Sequence, residues 1–183
     1  MRYLILFTLF FTILAFPKDS LAQHEETTHP SSPKHTSGYV RLAVLIGHTF
    51  IPKGPSHDRL AVPSWGVDLE YWINHKWGFG LHNDIEIETF LVDHDGHEEV
   101  LTREYPLVLT LDALYKPWKQ LVLLVGPGWE FEPTEDFFLV RAGVEYEFEM
   151  GHGWDFSPTF FYDSRRNAYD TWTIALGVGK RFR

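Results

Sequence analysis

A chain of 183 residues with a formal net charge of −9 is long enough for one domain with a full core or one small closed barrel, and too short for two large domains. The acidic balance leaves no basic stripe to displace counterions from a phosphate backbone, which argues against nucleic acid as a partner. The absence of cysteine excludes disulfides, thiolate metal sites and a lipid-modified N-terminal cysteine.

Met1 to Ala22 opens with Arg2, runs through apolar Tyr3 to Phe16 and ends in Ser20-Leu21-Ala22. A charged start, an apolar run and a small-x-small ending are the parts of a secretory signal. The run is shorter than the roughly 20 residues that a membrane helix needs, so export with cleavage after Ala22 is expected. Gln23 to Gly38 is polar, centred on Ser31-Ser32-Pro33, and reads as a disordered periplasmic tether. The remaining 39–183 is the predicted folded domain.

From Tyr39 onward the apolar residues recur at every second position, the period of a strand with unlike faces. Eight strands are predicted: Tyr39 to Ile51, Trp65 to Asn74, Trp77 to Val92, Tyr105 to Lys116, Leu121 to Phe131, Phe137 to Glu149, Asp155 to Asp163 and Thr171 to Phe182. The sixth is the sharpest, with Phe138, Val140, Ala142, Val144, Tyr146 and Phe148 opposed to Arg141, Gly143, Glu145, Glu147 and Glu149. Pro127 falls inside the fifth strand, where a missing N–H ordinarily marks an edge or a bulge. Asn83 is a misfit on the apolar face of the third.

Alternation alone does not say whether the bulky face meets a core or lipid. Strand length favours lipid, because most of these strands run to about 9–13 residues, nearer the roughly 9–11 of a tilted bilayer crossing than the average of about 5–6 for ordinary strands. The connections after strands one and three are long and those after two, four and six are tight, as in a barrel with short periplasmic turns. The connection after strand five is short and departs from that pattern. With the N-terminus periplasmic, Tyr39, Tyr71, Trp77, Tyr115, Trp118, Trp154, Phe156 and Phe182 fall at one rim. Phe50, Trp65, Phe90, Tyr105, Trp129, Phe138, Tyr162 and Trp172 fall at the other. Two aromatic girdles with aliphatics between them predict lipid outside.

The polar face then lines a lumen just wide enough for side chains to fill. It carries Asp68, Glu70, Asp84, Glu86, Glu88, Asp112, Glu130, Glu145, Glu147 and Glu149 against Arg41, Arg141 and Arg181. Acids buried there require arginine partners, hydrogen bonds or water.

The signal, the Arg141-to-Glu149 strand and the closing strand ending in Gly179-Lys180-Arg181-Phe182 resemble those of the small eight-stranded outer-membrane β-barrels, the superfamily of the OmpA transmembrane domain and OmpX. The resemblance implies an all-β, eight-stranded, antiparallel up-and-down transmembrane barrel in the bacterial outer membrane. It also implies contact with outer-membrane lipid and lipopolysaccharide, and recognition of the last strand by the barrel-assembly machinery. Members commonly end on the aromatic itself, whereas here Arg183 follows Phe182.

Some such barrels are enzymes, but Ser157, Ser164 and His152 lack the spacing of a lipid deacylase site, and there is no Gly-x-Ser-x-Gly elbow. No cofactor is expected. One cluster, Asp93-His94-Asp95-Gly96-His97-Glu98-Glu99, has the imidazole and carboxylate density for a divalent metal, with His94, Asp95 and His97 as candidate ligands and His57 and Asp58 of the preceding loop as complements. The functional expectation is a structural or surface-interaction barrel. The alternative is a small cation or metal transporter or channel that uses the acidic lumen.

Overall fold

The protein is described by a computed structural model covering residues 38–52, 59–93, 100–166 and 168–182. The predicted signal, the tether up to residue 37 and the metal candidates His94, Asp95 and His97 lie outside the described residues.

Among the described residues the period-two pattern folds as eleven strands: β1 (Tyr39–Pro52), β2 (Arg59–Trp72), β3 (Trp77–Glu86), β4 (Thr89–Asp93), β5 (Val100–Glu104), β6 (Leu107–Tyr115), β7 (Leu121–Phe131), β8 (Phe137–Tyr146), β9 (Phe148–Gly151), β10 (Trp154–Arg165) and β11 (Asp170–Phe182). Eight staves close a barrel in the order β1, β2, β3, β6, β7, β8, β10 and β11, with β11 pairing back to β1. Every neighbouring pair is antiparallel. β9 continues the β8 stave past Glu147, and β4 and β5 form a separate hairpin beyond β3.

The faces are inverted relative to a water-soluble barrel. Val44, Ile46, Leu111, Val125, Ile174 and Leu176 are exposed on the outside, while Arg41, Asp68, Glu70, Asp112, Glu130 and Arg141 are buried inside. Aromatic pairs ring both ends of the wall. Trp77 lies against Tyr115 with centroids 4.5 Å apart at the short-turn end, and Phe50 stacks on Trp172 at 3.9 Å at the other. Asn83 sits on the apolar face, and its Nδ2 donates to the Val67 carbonyl at 2.6 Å, which pairs part of an amide that lipid would leave unsatisfied.

Several boundaries differ from the sequence expectation. β2 begins at Arg59, not Trp65, so half of the expected loop is wall. The expected third strand breaks at Ile87 and Glu88, and the expected loop Asp93 to Glu104 contains β5. Pro63 lies at this break: its carbonyl accepts the Ile87 N–H at 2.9 Å, but with no N–H of its own it ends the β2–β3 ladder at Ser64 and Glu86. β6 begins two residues after Tyr105, whose φ of 47° places a bulky side chain in the left-handed region. Pro127 does not demote β7, which pairs with both neighbours. The β6–β7 ladder is missing only opposite Leu111 and Asp112.

Two girdle assignments are corrected. Phe90 is buried beneath the β4–β5 hairpin, because it carries the inward parity of Asp84 and Glu86 and not that of the apolar face. Tyr39 shares the inward parity of Arg41 and stacks on the buried Trp72 at 6.0 Å. At the short-turn end, His152 (φ 53°) and Gly153 (φ 78°) supply the two successive left-handed residues of a tight hairpin turn.

Candidate functional site

Among the described residues charge is concentrated in the lumen, and its alternating inward positions build it in layers. At the short-turn end Lys116 Nζ donates to Tyr39 Oη at 2.9 Å, sits 2.6 Å from Glu147 Oε2 and lies 3.9 Å over the Trp72 ring. Arg181 reaches Glu147 at 3.0 Å and Glu149 at 2.8 Å.

Above it, Arg41 is fully buried and donates to Glu70, to Asp155 Oδ1 through Nη2 at 2.6 Å and to Ser157 Oγ at 3.1 Å. Its Nη2 also lies 2.7 Å from Glu145 Oε1, a charge contact without hydrogen-bond alignment. Trp72 Nε1 donates to the second oxygen of Glu70 at 2.6 Å. Arg41 and Arg181 are register partners on β1 and β11, and Asp155 lies between them, 3.4 Å from Arg181 Nε. A Cβ at Gly179 would come within 2.6 Å of both Arg41 Nε and Asp155 Oδ1, so glycine there makes room for the cluster.

Mid-lumen, His82 Nδ1 lies 2.9 Å from Asp112 Oδ2, a close approach without hydrogen-bond alignment, and that oxygen accepts from Thr110 Oγ1 at 2.6 Å. The His82 ring lies over Gly80: a Cβ there would meet Nε2 at 2.3 Å. Gly80→Ala is expected to push the ring off Asp112 and lower stability by about 1–3 kcal/mol. Urea unfolding of the refolded barrel checks this, and the cost should largely vanish in a His82→Ala background. Ala43, Leu45, Leu114, Val122, Leu124, Phe161 and Ala175 pack the apolar belt at this level.

Farther out, Arg141 is fully buried and clamps two carboxylates, Asp84 at 2.7 and 3.1 Å and Asp163 at 2.7 Å twice. Bidentate pairing is what the guanidinium fork does best. Glu130 then accepts from Arg103 Nη2 at 2.5 Å, Tyr169 Oη at 2.7 Å and Arg165. Arg165 Nη1 donates onward to Thr171 at 2.9 Å. Ile51, Val62, Phe90, Val92, Phe137 and Tyr169 cap the stack.

Of the residues expected in the lumen, Asp68, Glu70, Asp84, Glu86, Glu145, Glu147, Arg41 and Arg141 are buried there. Arg181 is 19% exposed at the short-turn mouth, and Glu149, 47% exposed, belongs to the rim. Glu88 is outside altogether, exposed in the bend between β3 and β4. The sequence expectation missed Arg103, Lys116, Arg165, Asp155, Asp163 and His82 as parts of the site. Arg165 continues the parity of Asp155 and Asp163, so a longer strand would have found it, and Lys116, the last residue of its expected strand, already has the parity of Asp112. Arg103 gave no such signal from a stretch expected to be loop.

The stack leaves little space. A void of about 10 Å³ bounded by Leu45, Ser64, Asp68, Phe161 and Thr173 has room for about one water. Asp68 Oδ2, Glu86 Oε2 and His82 Nε2 have no hydrogen-bond partner among the described residues. No group of three metal-ligating side chains is assembled among the described residues. Ser157 is bound to Arg41, Ser164 is exposed outside the wall and His152 sits in a turn, so these do not form a catalytic group.

An apolar exterior, two aromatic rings and a packed ionic lumen in a closed eight-stave barrel define the small outer-membrane β-barrel class, and the chain is an outer-membrane barrel in fold and surface chemistry. The sequence matches no protein-family model and no curated protein. Among solved structures it is similar to Ail, the attachment invasion locus protein of Yersinia pestis, in complex with the heparin analogue sucrose octasulfate. That match has a TM-score of 0.55 and 14% identity, over 80% of this chain and 99% of that one. It is also similar to the outer membrane protein OprG from Pseudomonas aeruginosa, with a TM-score of 0.56 and 11% identity over 81% and 98%. At these identities the likeness is one of fold.

Proposed function

We propose that this chain is a sealed barrel of the bacterial outer membrane whose work is done at its surface, as a structural and contact protein, not as a conduit or an enzyme. The supporting observation is the layered lumen, in which the Arg41, Arg141 and Glu130 clusters occupy the bore from wall to wall. A hydrated cation would have to displace a buried arginine from at least two carboxylates to pass. The short-turn end faces the periplasm, and the aromatic rings rest at the two lipid interfaces, the outer one against lipopolysaccharide. β11 is the strand offered to the barrel-assembly machinery.

Ail was solved with a polyanion, but the outer connections here are rich in carboxylates, from Asp93 to Glu104 and again at Glu135 and Asp136. The partner they suit carries exposed basic groups. Planar-bilayer recording of the refolded barrel tests the sealed lumen. Flat traces at high salt are expected, and steady cation-selective steps would favour the transporter reading instead.

A further inference from the structure

We infer that the β4–β5 hairpin is a hinged lid on the outer mouth, latched by Arg103. Three observations carry this. The hairpin is its own two-stranded sheet, and among the described residues no ladder joins it to the barrel wall. Both of its joints are irregular: Ile87 and Glu88 interrupt the strand on one side, and on the other Tyr105, in the left-handed region at φ 47°, precedes Pro106. Such positions take up the backbone rotation of a moving element.

Its inner face is made to close. Phe90 and Val92 are buried in the apolar cap with Ile51, Val62, Phe137 and Tyr169. Arg103, 1% exposed, reaches past β6 to β7 and the loop that follows it. There Nε and Nη2 donate to Glu130 Oε1 at 3.0 and 2.5 Å, and Nη1 donates to Glu132 Oε2 at 3.2 Å and the Glu135 carbonyl at 2.8 Å. The guanidinium also lies 4.7 Å over the Phe137 ring. Among the described residues of the lid, Arg103 is the charged side chain that makes this contact, and beneath it lies a carboxylate basin of Glu86, Glu130 and Glu132. Opening exchanges a neutral apolar cap for an acidic mouth, which is the surface a basic partner would meet. The lid thus regulates the contact end assigned above and rests on that assignment for its sidedness alone.

The natural chain has no cysteine, so one introduced thiol reports the lid without background. Val92→Cys places it on the buried inner face, and Ala43→Cys places a control in the mid-lumen, both positions being 1% exposed. In detergent micelles, where both ends of the barrel are reachable, the Val92→Cys thiol should label faster than the control. Adding Arg103→Ala should accelerate it about tenfold or more while leaving the control unchanged. Should Arg103→Ala fail to fold, Arg103→Lys keeps the charge, loses the fork and should give a smaller acceleration of the same selectivity. An unchanged Val92→Cys rate in whichever variant folds, or a rise matched by the control, overturns the lid. Repeating the labelling in sealed vesicles with an impermeant reagent tests the outward sidedness separately.

Discussion

Arg141→Ala is expected to lower the stability of the folded barrel by about 3–5 kcal/mol, the cost of leaving buried charges without their partner. Arg141 serves both Asp84 on β3 and Asp163 on β10, so its loss strands two carboxylates on opposite sides of the bore. The urea midpoint of the refolded protein measures this. Lysine should rescue little, because one ammonium group cannot present two parallel pairs of donors to two carboxylates. The decisive comparison is a triple variant, Arg141→Leu with Asp84→Asn and Asp163→Asn, which removes the charges along with the clamp. It should recover most of the loss, since replacing all members of a buried ionic cluster is far milder than removing one. If the triple variant is as unstable as Arg141→Ala, the loss comes from packing and not from stranded charge.

The second large effect concerns the exterior. Leu111 is 59% exposed and Leu91 is 58% exposed, so burial alone gives arginine the same consequence at both. Their positions differ. Leu111 lies between the Trp77–Tyr115 pair and the level where Leu109 faces Trp129, near the middle of the lipid-facing band. Leu91 is on the hairpin past the end of β3. Leu111→Arg is expected to cost about 2–4 kcal/mol in a bilayer, whereas Leu91→Arg, beyond the band, should cost about 0–1 kcal/mol. Folding titrations in lipid vesicles read the difference. Equal and small costs at the two sites would place the apolar face in water and undo the membrane assignment.

Much of the wall was legible because alternation is a local property. Each residue's face follows from its neighbours two positions away, and β6, β8 and β11 kept the faces expected of them. The outer end was not legible. Pro, Gly and Ser between Pro52 and Pro63 signal a turn, yet the wall resumes at Arg59, because β1 offers the whole length of β2 a hydrogen-bonding edge up to Pro52. Phe90 keeps the inward parity of Asp84 and Glu86 across the interruption at Ile87 and Glu88, so its face was legible, whereas nothing in a period-two pattern announces a break that depends on Pro63 in another strand. The ionic partners were hidden for a similar reason. Glu130 meets Arg103 and Arg165 through barrel closure and the fold of a hairpin, neither of which is written in the spacing of charges along the chain. Where a strand was read too short, as at Arg165, the residue left out was one of the cations that the exposed tally of acids demanded.

The pairing of Arg41 with Asp155 spans 114 positions, from the first stave to the last but one. During synthesis Arg41 therefore exists long before Asp155, and an earlier partial sheet can give it Glu70 of β2 but not Asp155. Contacts of such long range slow folding. They also impose an order of events: a barrel missing its last two staves holds Arg41 with Glu70 but without Asp155 in a half-open bore, so insertion into lipid and arrival of the C-terminal hairpin must come close together. The seam between β1 and β11 is thus also a clock, since the lumen cannot become electrically quiet until the end of the chain has come home.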